Sequence, residues 1–556
     1  MDRSASWWDC GVFIATGWGL QIGHPPGAPF YQLVTHCMML LSFGNPMWVA
    51  PLSNLVSVLC GAFTVLLLYK TLLLLLQRTG FHYSSSIFRF SAAIGAFCYL
   101  FCDAVWFSAV ESEVYSMALL FCSLTMWLML RWERDGDNRN LLLVALLLGL
   151  GICVHLMTLL TVPVLLWIFV RGVRSKGFSS CDPLWFWTRT VLLGIFLFFL
   201  GLTPYAIIPL RAASNPPINT GNPSTVESFK SYFNRDQYEK APIYPRMWRE
   251  QDTANWAYWC GGDPTSVVDN VVYYVVYQFG YMYCRYMMYS FIGRWNFHWD
   301  TVVLSLLPFL LGLWGMLRHR KRCRGDFRLV LLLFLFGGII LNLYLNHPCY
   351  EPRERDYVYV LGFYAFSIWI GIGAAELLAR FPRRWMWSVV VAAPLLLAVG
   401  NWSDHDRHNC HSVHDISLNH LQSCDHGALL FTLGDNDTFP LWYLQHVEHR
   451  RTDIDLHNVN LIGYRRTMAI IQSNDFQRPV YFSHFAYNRY KELFPNRFRC
   501  EGFCWRLLPT TEGIDDVAPL HRHIADSIQW NIGRHEYTDH VSKMFLRLWK
   551  ENTEGK

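Results

Sequence analysis

The chain has 556 residues, 53% of them hydrophobic and only 16% charged. An ordinary soluble domain carries about 25% charge, so the composition excludes a large soluble enzyme and places much of the chain in lipid. The net charge of +5 does not point to nucleic acid, because most Lys and Arg residues lie in short connections between apolar runs, where they set membrane topology.

A membrane-spanning helix needs about 20 apolar residues. In chain order the candidate spans are 48–69, 87–108, 112–131, 140–154, 156–172, 187–210, 301–317, 327–346, 357–379 and 384–400, about ten in all. The pair 140–154 and 156–172 is short, and also fits one long helix plus a re-entrant piece. Residues 30–43 are apolar but short and flanked by Gly and Pro, which predicts an interfacial helix.

Charge alternates between the connections. Lys70, Arg78 and Arg89, then Arg131, Arg134 and Arg139, then Arg171, Arg174 and Lys176, then Arg318 to Arg324, then Arg380 to Arg384 mark one side. By the positive-inside rule that side is cytoplasmic. Glu111, Glu113, His155 and the run Glu351 to Asp356 fall on the other side. The long connection 211–300 is exempt from the rule. This topology puts residues 1–46 outside as a first loop, the multi-pass region at 47–400, and the tail 401–556 outside as a soluble unit. It also predicts an apolar helix ahead of Asp9 that this sequence does not contain.

The tail reads as α/β. Ala428–Leu433, Ile454–Ile462 and Pro479–Ser483 are strand-like, with helical stretches at Phe439–Val447 and Arg466–Gln472. Strands alternating with helices favour a parallel sheet. The fold class predicted is therefore a mainly α, polytopic membrane bundle followed by a small α/β unit.

Several residues in these connections could carry chemistry. Asp9, on a Gly-flanked turn, could act as general base toward a hydroxyl; a helix N-cap is the structural alternative. His24 sits in the rigid turn Gly23-His24-Pro25-Pro26-Gly27. Asp103 lies near the outer end of a span. Glu111 and Glu113, two apart, would not share a helix face, so one would face the site and the other water. In the run Pro352-Arg353-Glu354-Arg355-Asp356-Tyr357 two arginines break the charge rule. A guanidinium binds phosphate in a bidentate fork, and the alternative is internal pairing with Glu351, Glu354 and Asp356. Asp435, Asn436 and Asp437 follow a strand, where α/β units place ligand loops; an Asx-turn with a helix cap is the favoured alternative. His405, His408, His411 and His414 read as a polar linker more than a metal site. Asn401-Trp402-Ser403 fits the N-glycosylation sequon. Cys410, Cys424, Cys500 and Cys504 would be free to form a disulfide if the tail is extracytoplasmic, but spacing does not fix a pairing.

The motifs Trp8-Asp9-Cys10-Gly11, His24-Pro25-Pro26-Gly27-Ala28-Pro29, Phe107 to Tyr115, Pro352 to Tyr357 and Gly434 to Pro440 stand in the order of a known family. From about residue 5 to 515 the chain resembles the transmembrane-protein-260 family, whose animal member is a protein O-mannosyltransferase. The resemblance implies a GT-C type glycosyltransferase fold, a polyprenyl-phosphate sugar as donor, and Asp9 as catalytic carboxylate. With that reading His24, Glu111, Glu113, Arg353, Arg355 and Asp356 are the candidate substrate- or donor-binding residues, and Asp435, Asn436 and Asp437 a candidate acceptor or ligand loop. Partners would be membrane lipid, the lipid-linked sugar and a secreted or periplasmic acceptor protein. The expected location is the cytoplasmic (inner) membrane with the active face outside. No metal ligands are assigned, although a divalent cation is compatible with such a site. The family pattern continues with Glu where this chain has Val12. That departure keeps a second reading open: a non-catalytic multi-pass protein, either a lipid-sugar carrier or an assembly factor.

Overall fold

Helix Asp356–Arg380 is the axis of the membrane bundle: 94% of its apolar window is buried by protein. Around it, the computed structural model describes residues 3–79, 84–176, 184–293, 306–351, 353–408, 410–510 and 541–547. Pro352 and residues 301–305 of the expected span 301–317 lie outside the described residues.

The chain opens with α1 (Cys10–Gly19), α2 (Pro29–Met39) and α3 (Pro46–Arg78). The segment read as a first loop is thus largely helical. The short helix expected within 30–43 is α2; the turn after it exposes Phe43 (91%), and the start of α3 exposes Met47 and Trp48. Pro46 starts α3, where a missing N–H costs nothing, and the Asn45 side chain accepts from Met47 N. At 33 residues, α3 is about 50 Å long. Next come α4 (Ser85–Leu100), α5 (Asp103–Ala109) and α6 (Val114–Asp135).

The expected straight span 87–108 is instead broken, with α4 and α5 bent by 70°. Cys102 is extended and starts a new helix. Backbone groups freed at the bend are met from the last span: Asn401 donates to Phe101 O at 2.9 Å, and His405 Nε2 lies 3.0 Å from Asp103 O. Inserted side chains of this kind sustain a sharp bend at membrane depth. They also overturn the sequon reading. Asn401 is buried inside helix Arg384–His405 with its amide engaged, so it cannot be a glycan acceptor.

Among the described residues seven helices are long and apolar enough to cross a membrane, or eight counting the bent pair. Arg139–Ile152 has 14 residues, about 21 Å, too short to span alone. It and Leu156–Ser175 are separate helices, not one long helix. The long connection is not a loop either: residues 267–292 are continuously helical, with a π-helical stretch at Tyr273–Tyr283.

The axial helix packs against Leu307–Arg322 and α4. Helix Leu307–Arg322 comes so close that a Cβ on Gly373 would collide with Leu311 O. Small residues permit such backbone approach between membrane helices. At one end of the bundle, Arg78 of α3 pairs with Glu133 of α6 (2.6 Å) and Asp326 (3.4 Å). Arg171 bridges the same two carboxylates, and Arg318 and Arg322 pair with Glu376. The basic connections expected on one side do meet on one face.

The tail carries β1 (Leu429–Thr432), β2 (Asp455–Asn458), β3 (Val480–Ser483), β4 (Phe498–Glu501) and β5 (Cys504–Leu507), in the order β2-β1-β3-β5-β4. The expected parallel strands are β1, β2 and β3, with Leu430 opposite both Leu456 and Tyr481. The hairpin β4–β5 adds an antiparallel edge that the sequence reading did not include; its turn residue Gly502 has φ 60°.

Replacing Gly373 by Ala should cost about 1–3 kcal/mol, the usual penalty of overpacking. The unfolding midpoint of the purified protein should fall. An unchanged midpoint would mean that the two helices do not cross this tightly.

Candidate active site

Asp9 stands at the N-cap position of α1, but its carboxylate makes no capping hydrogen bond. The structural alternative for this residue therefore fails, and 32% of its side chain remains open to solvent. Trp8, just before it, holds a left-handed backbone (φ 63°), a conformation rare for a bulky residue. It is pinned there by Asn436, whose Oδ1 accepts from Trp8 N at 2.6 Å. Behind Asp9, α1 lies against helix Asp435–His446 of the tail; a Cβ on Gly11 would come within 2.6 Å of Phe439 O. Only glycine allows this contact. Val12 is fully buried in α1, beneath Gly23 of the His24 turn.

The His24 turn brings its imidazole Nε2 to 4.0 Å from Asp9 Oδ2. Its ring lies between Phe13 (5.2 Å) and Phe439 (6.1 Å), and Tyr232 ties the turn down by donating to Gly23 O at 3.0 Å.

Glu111 and Glu113 correct the expectation that they diverge. Their segment is not helical; Glu113 is extended (φ −138°, ψ 143°). Bends at Glu111 and Ser112 break the helical spacing that would have separated the two side chains. Both carboxylates are buried and both turn toward Arg353, with Arg353 Nη1 3.4 Å from Glu113 Oε1 and Nη2 4.0 Å from Glu111 Oε1. Ser6 donates to the second oxygen of Glu111. Glu113 Oε2 is buried with no hydrogen-bond partner among the described residues. Burial, the Asp9 charge and, more weakly, Glu111 push Glu113 up to about 8, against Arg353.

Arg353 is the central cation, 14% exposed. Its guanidinium lies 4.3 Å from the Tyr357 ring, 5.3 Å from Trp8 and 5.6 Å from Phe107. Burial opposes its charge, but Tyr357, Glu113, Glu111 and Asp9 hold it above its usual range. Arg355 does not join it. It pairs with Glu351 at 2.7 Å, as the internal-pairing alternative expects, while Glu354 pairs with Arg285. Asp356 opens the axial helix, with Oδ1 accepting from Tyr357 N at 3.0 Å.

The tail's Asp435, Asn436 and Asp437 form the first turn of a helix after Gly434 (φ 86°), not an Asx-turn loop ahead of it. Asp437 is an internal brace that accepts from Leu433 N and Ser483. Asn436 holds Trp8, and Asp435 faces the Asp9 group. Asp435 is exposed, yet the protein packed around it and then the Asp9 charge push it up to about 6, opposed by His24 and Arg353.

Sequence reasoning missed several neighbours. Tyr238 of the long connection feels the charges of Asp435 and Asp9, and Arg235 acts on His155. His155 itself, lowered to about 4 by burial and then by Arg235 and His24, belongs to this group. The long connection is silent in a charge-topology reading, so no signal pointed to its residues. Beside the site is a cavity of about 500 Å³ lined by Trp7, Trp8, Tyr281, Arg285, Arg353 and Arg407 among others. Among the described residues no three His, Cys, Asp or Glu side chains converge as metal ligands. The four histidines from His405 to His414 go separate ways: His405 is buried at the α4–α5 bend, whereas His414 contacts Asp415 and Glu448.

Residues 9–177 match the family model described as "Protein O-mannosyl-transferase TMEM260 N-terminal domain", and residues 413–466 match "TMEM260-associated domain 2". Over these two stretches the chain is similar to domains of the TMEM260 family. It is 22% identical over 545 residues to "Protein O-mannosyl-transferase tmem260" of Dictyostelium discoideum, covering 90% of this chain and 59% of that one. It is 28% identical over 246 residues to the Mus musculus protein of the same name, covering 43% and 32%. The chain thus spans little more than half the length of the first relative and about a third of the second. Among solved structures, ArnT from Cupriavidus metallidurans in the apo state aligns with a TM-score of 0.40 at 12% identity, covering 92% of this chain and 95% of that one.

A carboxyl group held above its unfolded pKa withholds stability as pH rises. Glu113 keeps its proton in the folded state up to about pH 8, whereas the unfolded chain releases it near the ordinary value of 4.5. Stability should therefore fall between those pH values. Glu113→Gln should flatten that slope in unfolding midpoints measured from pH 5 to 8. Parallel slopes for the variant and the parent would show that Glu113 is ionised throughout.

Proposed function

We propose that the chain is a GT-C type glycosyltransferase of the membrane. It transfers a sugar, mannose in keeping with the names of its relatives, from a polyprenyl-phosphate donor to a Ser or Thr hydroxyl of a secreted or periplasmic protein. The observation that carries this reading is the pairing of a half-open carboxylate, Asp9, with a buried, carboxylate-held guanidinium, Arg353, in one cluster.

Each has a task in that reaction. The acceptor oxygen attacks the anomeric carbon, the bond from that carbon to the phosphate oxygen breaks, and the phosphate leaves with the electron pair. Asp9 takes the hydroxyl proton, and His24, 4.0 Å away, orients the carboxylate. Arg353 stabilises the charge that builds on the leaving phosphate, and preorganised charges of this kind often contribute more to catalysis than any other single effect. Glu111 and Glu113 fix Arg353, so that its geometry does not change during the reaction. Arg355 and Asp356, at the same end of the axial helix, frame the donor side. Asp435 and Asn436 supply the tail's share of acceptor binding.

The basic connections on the opposite face would be cytoplasmic by the positive-inside rule, which leaves the site on the outside of the inner membrane. Val12 is buried beneath Gly23 of the His24 turn, and the proposed chemistry uses no carboxylate at that position.

Incubated with undecaprenyl- or dolichyl-phosphate mannose and a Ser/Thr-containing peptide, the purified chain should add one hexose to the peptide by mass. Asp9→Asn should lower kcat by about 10²–10⁴-fold, the usual worth of a general base. Undiminished transfer by that variant would remove Asp9 from the role of base.

A further inference from the structure

We infer that Cys424 and Cys504 are joined by a disulfide in the mature protein and that this bond secures the tail's hold on the loop carrying Asp9. The inference rests on the proposed placement of the tail in an oxidising compartment.

Both thiols are buried, at 3% and 0% exposure, with their sulfurs 3.9 Å apart. Both point at the same acceptor, His420 O, at 3.5 Å. One residue earlier in each segment, Phe503 N donates to Ser423 Oγ at 2.9 Å, so the two backbones already run together. Closing the bond needs the sulfurs to approach by about 1.9 Å, to the ordinary S–S length of about 2.05 Å. Cys500 is not placed to compete. In the hairpin Glu501 lies opposite Cys504 and Cys500 opposite Trp505, and neighbouring pairs on a strand project to opposite faces.

The chemistry is an exchange. The two thiols give up two protons and two electrons to the disulfide of a thiol–disulfide oxidoreductase, which becomes a dithiol, and the new S–S bond closes across 80 positions of sequence. Burial of both sulfurs means that the bond forms while the tail folds. Its effect reaches the site in two ways. Cys424 and Cys504 share an apolar cluster with Cys10, Ile14 and Ala15 of α1, the helix that begins at Asp9. Phe503 contacts His420 (5.4 Å), His420 contacts Phe545 (5.5 Å), and Phe545 stacks on Trp7 (5.0 Å). A staple beside Phe503 fixes one end of this row of rings, and Trp7 is the other.

The test uses the full chain, with thiols trapped by alkylation before purification from membranes and peptides analysed by mass spectrometry without reduction. A cross-link between the peptides containing Cys424 and Cys504 is the expected result. Alkylation of both, or a link from either to Cys410 or Cys500, would overturn the inference where protease protection shows the tail outside. Should protease protection place the tail on the cytoplasmic side, the orientation in the proposed function is what fails. The pairing is then decided by treating the purified chain with oxidised glutathione, after which absence of the 424–504 link overturns it. Hydrogen exchange at residues 5–8 should become several-fold faster when the purified chain is reduced; equal rates would refute the coupling to Trp7.

Discussion

Burial of the Arg353 guanidinium is the constraint around which the site is arranged. A charge removed from water must be matched by opposite charge and hydrogen bonds, or it destabilises the fold by several kcal/mol. Here the matching groups come from remote parts of the sequence: the charge of Glu111 and the hydrogen-bond acceptor of Glu113 from the connection before α6, the rings of Trp8 and Phe107, and Tyr357 from the start of the axial helix. Each of those segments is held in place partly because Arg353 needs it. The first loop, the α5–α6 connection and the entrance to the axial helix therefore form a single unit.

That unit carries more acid than a stable protein needs. Asp9, Glu111, Glu113 and Asp435 all interact with Arg353. Crowding raises Glu113 and Asp435, and one oxygen of Glu113 is left buried without a partner among the described residues. Departures of this kind from local consistency mark sites kept for chemistry. The opposite face offers the contrast. There Arg78, Arg171, Glu133 and Asp326 alternate in sign and satisfy one another, as a structural clamp would.

The tail is part of the site. Helix Asp435–His446 begins at the end of β1, and its first turn reaches Trp8 and the Asp9 group. The backbone contact of Gly11 with Phe439 O sets the spacing between α1 and that helix. The ring row from Phe503 to Trp7 is a second hold. Movement of the sheet would thus be felt at Asp9.

Sequence alone determined most of the spans, their alternating charge, the parallel core of the sheet, and most residues that meet at the site. These follow from local quantities: the apolar length needed to cross lipid, the sign of short connections, and the two-residue period of strands. Tertiary structure decided what depends on partners distant in sequence. It made Glu111 and Glu113 allies because their segment bends instead of forming a helix, paired Arg355 with Glu351, bent the span at Cys102 because Asn401 and His405 could meet its freed backbone, and turned Asp435 toward Asp9 while burying Asp437. It also brought His155, which the charge pattern had put on the same face, next to Arg235 and Tyr238, whose own segment gives no sign of the role. Charge and apolar length are written along the chain, whereas which charge faces which is fixed only when the helices pack.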